Sequence, residues 1–218
     1  MRKKIGVVLA GCGVYDGSEI HESVLTLLAI DRNGADAVCM APSVEFAVVN
    51  HLDGKETGEK RNALVESARI ARGAIRDIAK VTANEIDALI FPGGFGKAKT
   101  LCSFAEKGAD AVLLPEVAKL LKDVFAARKP IGAMCIAPAL LSVALGREHA
   151  PQLTIGTDEG TAAAINQTGS THIACPVTEV VVDRENRIVT TPAYMLAERI
   201  SEANEGIGKA VKALIEMA

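Results

Sequence analysis

The sequence predicts an α/β protein, a mostly parallel sheet with helices on both faces. Three observations carry this. Short β-rich apolar runs alternate with longer helical patterns from end to end, the order of strands joined by covering helices. The composition, 49% hydrophobic and 23% charged, is that of a globular chain. No internal repeat, low-complexity linker or domain boundary interrupts the alternation, so residues 1–218 read as a single domain.

Ile5 to Ala10 is the first strand. Asp16 and Glu19 have capping-box spacing, so a helix starts near Asp16 or Ser18, carries Ile20, Val24, Leu27 and Leu28 on one apolar face, and ends by Gly34. Glu22 falls almost opposite that face, where solvated glutamates are normal. Ala37 to Ala41 is a second buried strand, stopped by Pro42. From Val44 to Gly73 the pattern loosens into a strand-like Phe46 to Val49, a turn at Asp53-Gly54 and a helix from about Glu59 to Arg72. This excursion is expected to cover the cleft or to make a subunit contact. Thr82 and Glu85 have capping-box spacing, but Asp87 to Phe91 reads as the third strand of the sheet. Pro115 opens a helix over Glu116 to Ala127, and Pro130 to Met134 is a strand that delivers Cys135 to the next helix. Leu153 to Gly156 is a further strand. Val180 to Val182 and Arg187 to Thr190 flank a turn, and the last helix begins around Tyr194.

Against 24 basic residues stand 27 acidic ones, a formal charge of -3 with no long basic run. That argues against a nucleic-acid or anionic-membrane surface. No stretch approaches the roughly 20 apolar residues of a membrane-spanning helix. The basic start and the apolar run after it resemble a secretory signal, but the apolar run is too short for one. The five cysteines, Cys12, Cys39, Cys102, Cys135 and Cys175, form an odd set without a CxxC pair or zinc-type spacing. They suggest neither a disulfide framework nor a metal site, and reduced thiols in a cytoplasmic protein are the expectation.

Sites of open α/β sheets lie at the carboxyl ends of the strands, which singles out Gly11 to Gly17, Pro92 to Gly96 and Met134 to Pro138. A tight strand-to-helix turn exposes Cys135 above the sheet with a helix N-terminus beneath it, an arrangement that favours a thiolate nucleophile. The competing reading is a cysteine that only fills the core. The glycines of Pro92-Gly93-Gly94-Phe95-Gly96 let backbone amides converge on an oxyanion, or simply form a turn. Gly11-Cys-Gly-Val-Tyr-Asp16 is not a dinucleotide fingerprint, because the third glycine is displaced and no acidic residue closes the second strand. Glu19 and Glu22 lie at the same end of the sheet as Cys135, and either is a candidate partner. None of His21, His51, His149 and His172 is placed beside Cys135 by sequence.

Five ordered segments, Gly11-Cys-Gly-Val-Tyr-Asp-Gly-Ser-Glu-Ile-His-Glu22, Asn62 with Glu66 to Gly73, Phe91-Pro-Gly-Gly-Phe-Gly96, Cys135-Ile-Ala-Pro138 and Thr190-Thr-Pro-Ala-Tyr-Met195, resemble the ElbB-type glyoxalases. These are also described as isoprenoid-biosynthesis proteins with an amidotransferase-like domain, and belong to the ThiJ/PfpI superfamily. The resemblance implies a flavodoxin-like three-layer sandwich of the class I glutamine amidotransferase-like type. It also implies glutathione-independent conversion of small 2-oxoaldehydes, glyoxal to glycolate and methylglyoxal to lactate, with protein deglycase activity as an allied possibility, no cofactor, and a homodimer. By the same resemblance Cys135 is the nucleophile and Glu22 its proton shuttle, with Glu19 as rival. Gly93, Gly94 and Ile136 would form the oxyanion and substrate-binding loop, and Asp158 would be a third partner. Ile136 stands where the superfamily's peptidases carry histidine, and the His-x-Glu of glutamine amidotransferases is absent, so peptidase and ammonia-delivering activities are not expected. The alternatives to an enzyme are a cysteine redox sensor and a protein that binds small carbonyls without turnover.

Overall fold

The computed structural model describes residues 2–218. In chain order the elements are β1 (Lys4–Val8), α1 (Ile20–Arg32), β2 (Asp36–Ala41), β3 (Glu45–Asn50), β4 (Lys55–Asn62), α2 (Ala63–Ile70), β5 (Ile75–Asp77), β6 (Ala88–Phe91), α3 (Gly96–Lys99), α4 (Phe104–Lys107), α5 (Pro115–Ala126), β7 (Ile131–Met134), α6 (Pro138–His149), β8 (Gln152–Leu153), α7 (Glu159–Gln167), β9 (Thr171–His172), β10 (Val181–Asp183), β11 (Ile188–Thr191) and α8 (Ile200–Met217). Among the described residues the main sheet has seven strands in the order β10-β11-β7-β6-β1-β2-β5. All its pairings are parallel except that of the edge strand β10 with β11. This is the α/β architecture with a mostly parallel central sheet that the alternation predicts.

The central strands are apolar on both faces because both are covered. Leu89 and Phe91 of β6 point into one layer, with Leu120 and Leu121 of α5 and Leu140 and Leu141 of α6. Ala88 and Ile90 point into the other, with Ile30 of α1 and Ile207, Val211 and Leu214 of α8. After β1 the chain steps to β2 on one side, and β6 lies on the other, so the strand order reverses between β1 and β6. Loops leave opposite ways at such a point and open a crevice at the carboxyl ends of the strands.

Four boundaries differ from expectation. Glu59 to Asn62 is strand, because β4 folds back on β3 as an antiparallel hairpin. Helix α2 starts only where the Asn62 side chain accepts hydrogen bonds from the amides of Leu64 and Val65. The strand beginning near Leu153 stops there: the Thr154 amide donates to Thr190 Oγ1, and Gly156 has φ +102°. The last helix begins at Ile200, where Glu202 accepts from the amides of Glu198 and Arg199. The fourth change, at α1, has the largest consequence. Its start moves to Ile20, and its expected apolar face is turned outward, with Ile20 at 43% and Val24 at 48% exposure. Its buried face is Glu22, Ser23, Thr26, Ala29 and Ile30.

Candidate functional site

Two glycine-rich loops meet in the crevice. The amide of Glu19 donates to the Gly93 carbonyl, Phe95 to Val14, and Gly96 to Gly17, at 2.8–3.0 Å. Only bare backbone fits this seam: a Cβ on Gly96 would lie 2.7 Å from the Gly17 main chain, and Gly94 also has φ +98°. The β3–β4 hairpin is fastened to the same loop. The Val49 amide donates to Asp16 Oδ2, and the Tyr15 amide to His51 Nε2.

Cys135 is the residue between β7 and the turn into α6, and its φ is +59°. A left-handed conformation is unfavourable for a side chain other than glycine and persists only where neighbours hold it. Here the Cys135 amide donates to the Thr191 carbonyl of β11, and the Ala137 amide donates to Met134. Pro138 then sets the first turn of α6. The residue is 7% exposed, and the amides of Gly94 and Ile136 act on its sulfur, pulling the thiol's value down.

Glu22 is completely buried beside it. Its Oε2 accepts from the Gly93 amide at 2.8 Å and its Oε1 from the Tyr194 amide at 3.0 Å, while the carboxyl and Cys135 both lie against Gly93. Burial lifts Glu22 from 4.5 to about 7, a rise that the Tyr194 amide opposes and the charge of Glu19 reinforces. Burial, and then the Glu22 charge, push the Cys135 thiol well above its ordinary value against the pull of the Gly94 and Ile136 amides. The expected resting thiolate is corrected accordingly: the helix terminus is outweighed by burial and by the Glu22 charge, and the thiol keeps its proton.

The remaining expected residues separate clearly. Glu19 caps α1, its Oε2 accepting from the Glu22 amide, and so does not serve as the cysteine's partner. The Gly93 amide is taken by Glu22, so Gly93 is a spacer between the two side chains and offers no donor to an oxyanion. The amides of Gly94 and Ile136 act on the Cys135 sulfur. Asp158 is an exposed cap of α7, bonded to the Thr161 amide. His51 is on the hairpin, His149 ends α6, and His172 accepts from the Ile155 amide. At the rim His21 Nδ1 and the Tyr194 hydroxyl are 2.8 Å apart.

Two contributors escaped sequence reasoning. One is the Tyr194 backbone, held just after Ala193, whose φ is +43°. The other is Lys97, fully buried, with Nζ 2.8 Å from Ser18 Oγ. Burial lowers Lys97 to about 7, and the charges of Glu22 and Cys135 act back on it. The signal available for it was its place in the glycine loop that follows β6. Among the described residues no group of three or more histidine, cysteine or acidic side chains gathers as a metal site, and no helix is long and apolar enough to cross a membrane.

No family model matches the chain. The ES1 protein homolog, mitochondrial, of Rattus norvegicus is 42% identical over 227 residues, covering 99% of this chain and 84% of that protein. The human glutamine amidotransferase-like class 1 domain-containing protein 3, mitochondrial, is 43% identical, covering 98% and 83%. Both relatives are named mitochondrial, which overturns the expected cytoplasmic location. Among solved structures, the isoprenoid biosynthesis protein with amidotransferase-like domain from Ehrlichia chaffeensis superposes with a TM-score of 0.93 at 38% identity, over 99% of each chain. Glyoxalase III of Candida albicans, at 13% identity and a TM-score of 0.62 over 97% of each chain, shares the fold. With identity above 40% along almost its whole length and the amidotransferase-like sandwich in place, the chain belongs to the ES1 family of glutamine amidotransferase-like class 1 domain proteins.

Proposed function

We propose that the protein is a glutathione-independent glyoxalase acting on small 2-oxoaldehydes, with Cys135 as nucleophile and Glu22 as proton shuttle. The observation that carries this reading is the buried Cys135–Glu22 pair, with the amides of Gly94 and Ile136 converging on the sulfur. As the sulfur bonds to the aldehyde carbon, Glu22 accepts the thiol proton and hands it to the carbonyl oxygen, which becomes the hemithioacetal hydroxyl once its developing charge has met the two amides. Glu22 then takes the proton from the former aldehyde carbon and returns it to the neighbouring carbon, while the hemithioacetal hydroxyl proton passes to the neighbouring carbonyl oxygen, leaving a 2-hydroxy thioester. Water cleaves that thioester to the hydroxy acid and restores the thiol, so the sum is oxoaldehyde plus water to hydroxy acid. A shuttle that must both take and give protons works best with a value near ambient pH, and Glu22 at about 7 meets that need.

The near-complete burial of Cys135 favours a compact carbonyl over an adduct on another protein. Burial and an upward-shifted thiol also disfavour the redox-sensor alternative, which needs an accessible thiolate. The test is consumption of glyoxal and methylglyoxal without glutathione, with glycolate and lactate quantified, for wild type beside Cys135→Ala and Glu22→Gln. Product from wild type that is lost in both variants supports the assignment. A folded wild type with a reduced thiol and no product above the Cys135→Ala background overturns it.

A further inference from the structure

We propose that Lys97 is a positioning residue for Cys135, the buried countercharge that lets the Cys135–Glu22 pair carry one negative charge. This rests on the reading of Cys135 as the reactive group. Lys97 stands on α3 directly after the Pro92 to Gly96 loop, and its side chain is wholly enclosed. Its described hydrogen-bond partner is Ser18 Oγ, which also accepts from the Ala10 amide, so the ammonium is not neutralised by an acid at bonding distance. Lysine is rarely enclosed without a paired charge, because desolvating an ammonium is expensive. Ser18 directly precedes Glu19, whose amide donates to the Gly93 carbonyl, and Gly93 lies against both Cys135 and Glu22. The enclosed ammonium and the pair therefore share one packed seam, and the charges of the pair act on it.

The ionisable groups facing this pocket are Cys135 at the β7–α6 turn, Glu22 and Glu19 on α1 and its cap, Tyr194 on the segment after β11, and His21 bonded to Tyr194. Of these, Cys135 and Glu22 adjoin each other: burial raises both, and the Glu22 charge raises the thiol further. With Lys97 protonated, one anion shared between sulfur and carboxylate makes a neutral cluster. With Lys97 neutral or removed, the cheapest arrangement is thiol plus carboxylic acid, and Cys135 is harder to ionise.

The readout is peptide-resolved alkylation of Cys135 by iodoacetamide as a function of pH, in wild type, Lys97→Met and Lys97→Arg. Removal of a nearby charge from a poorly solvated site shifts the onset upward by about one pH unit or more, an alkylation rate roughly tenfold lower near neutrality. Lys97→Arg keeps the charge and restores the onset. An onset unchanged in a folded Lys97→Met overturns the proposal, as does an Arg variant that behaves like Met. Should the substitutions prevent folding, the wild-type Lys97 ε-carbon resonance is titrated beside that of Glu22→Gln. A lysine value that falls when the carboxylate is removed supports the coupling, and an unchanged value refutes it. Alkylation reports on the thiol and not on turnover. A shifted onset in a chain without glyoxalase activity therefore upholds Lys97 and defeats only the glyoxalase reading, while an active enzyme with an unshifted onset does the reverse.

Discussion

Replacing Gly93 with alanine adds a single methyl group at the narrowest point of the site. Gly93 does not adopt a left-handed backbone, so alanine meets no conformational penalty there and the effect is purely one of space. The new Cβ would lie on top of Cys135 Cβ and Glu22 Oε2, and 2.9 Å from Cys135 Sγ. Carbon atoms pack at about 3.5–4.0 Å, so the pair must be pushed apart by roughly 1 Å. Overfilling of this kind destabilises by about 1–3 kcal/mol, which for a chain of this size lowers Tm by about 3–10 °C. Displacing reacting groups by about 1 Å costs about 10²-fold in turnover. The matched control is Gly208→Ala, in the interior of α8 with open space around it. There the same methyl group raises stability by about 0.5–1 kcal/mol, because glycine is the poorer helix former. Thermal melts and 2-oxoaldehyde turnover of both variants check the pair. A Gly93→Ala protein with the melting temperature and turnover of wild type would refute the claim that Gly93 is the spacer.

Glu22 gives a pH signature. Its folded value, about 7, lies above the ordinary 4.5, so its contribution to stability is full below pH ~4.5 and is lost as pH rises through about 7, by about 3 kcal/mol in all. Urea midpoints at about pH 5 and about pH 8 should show wild type losing about 2–3 kcal/mol relative to Glu22→Gln, and a difference of opposite sign would sink the assignment of burial as the dominant cause. Asp158→Ala should lower stability by about 1 kcal/mol through the lost cap of α7 while leaving turnover intact, measured by denaturation and the same activity assay.

The fold was legible because strand and helix signals are local and repeated, and because strands buried on both faces need apolar residues throughout. Cys135 and the Pro92 to Gly96 loop were legible for a related reason: a residue after a strand in a parallel sheet has a known place before any packing is considered. Glu22 was misjudged from periodicity, since a helical wheel assumes that the apolar face is the buried one. In α1 the buried face is Glu22, Ser23 and Thr26, leaving Ile20 and Val24 partly in solvent. Lys97 was illegible for the same cause in reverse, because nothing local distinguishes an enclosed lysine from a solvated one. Gly93 and Gly94 read alike as successive glycines of one loop, and only the three-dimensional position of Glu22 separates their tasks.

The seam of glycines at Gly17, Gly94 and Gly96 bears on how such a site can change over generations. Main chain cannot be swapped residue by residue, so random drift has almost nothing to work on where the two loops meet. Every single-codon exchange at Gly94 or Gly96 drives a side chain into the opposing strand of backbone. Adaptation toward a new molecule is therefore channelled to the mouth of the crevice, where Phe95, His21 and Tyr194 have room to vary. A mutant library aimed at altered selectivity should randomise those three positions and leave the glycines untouched.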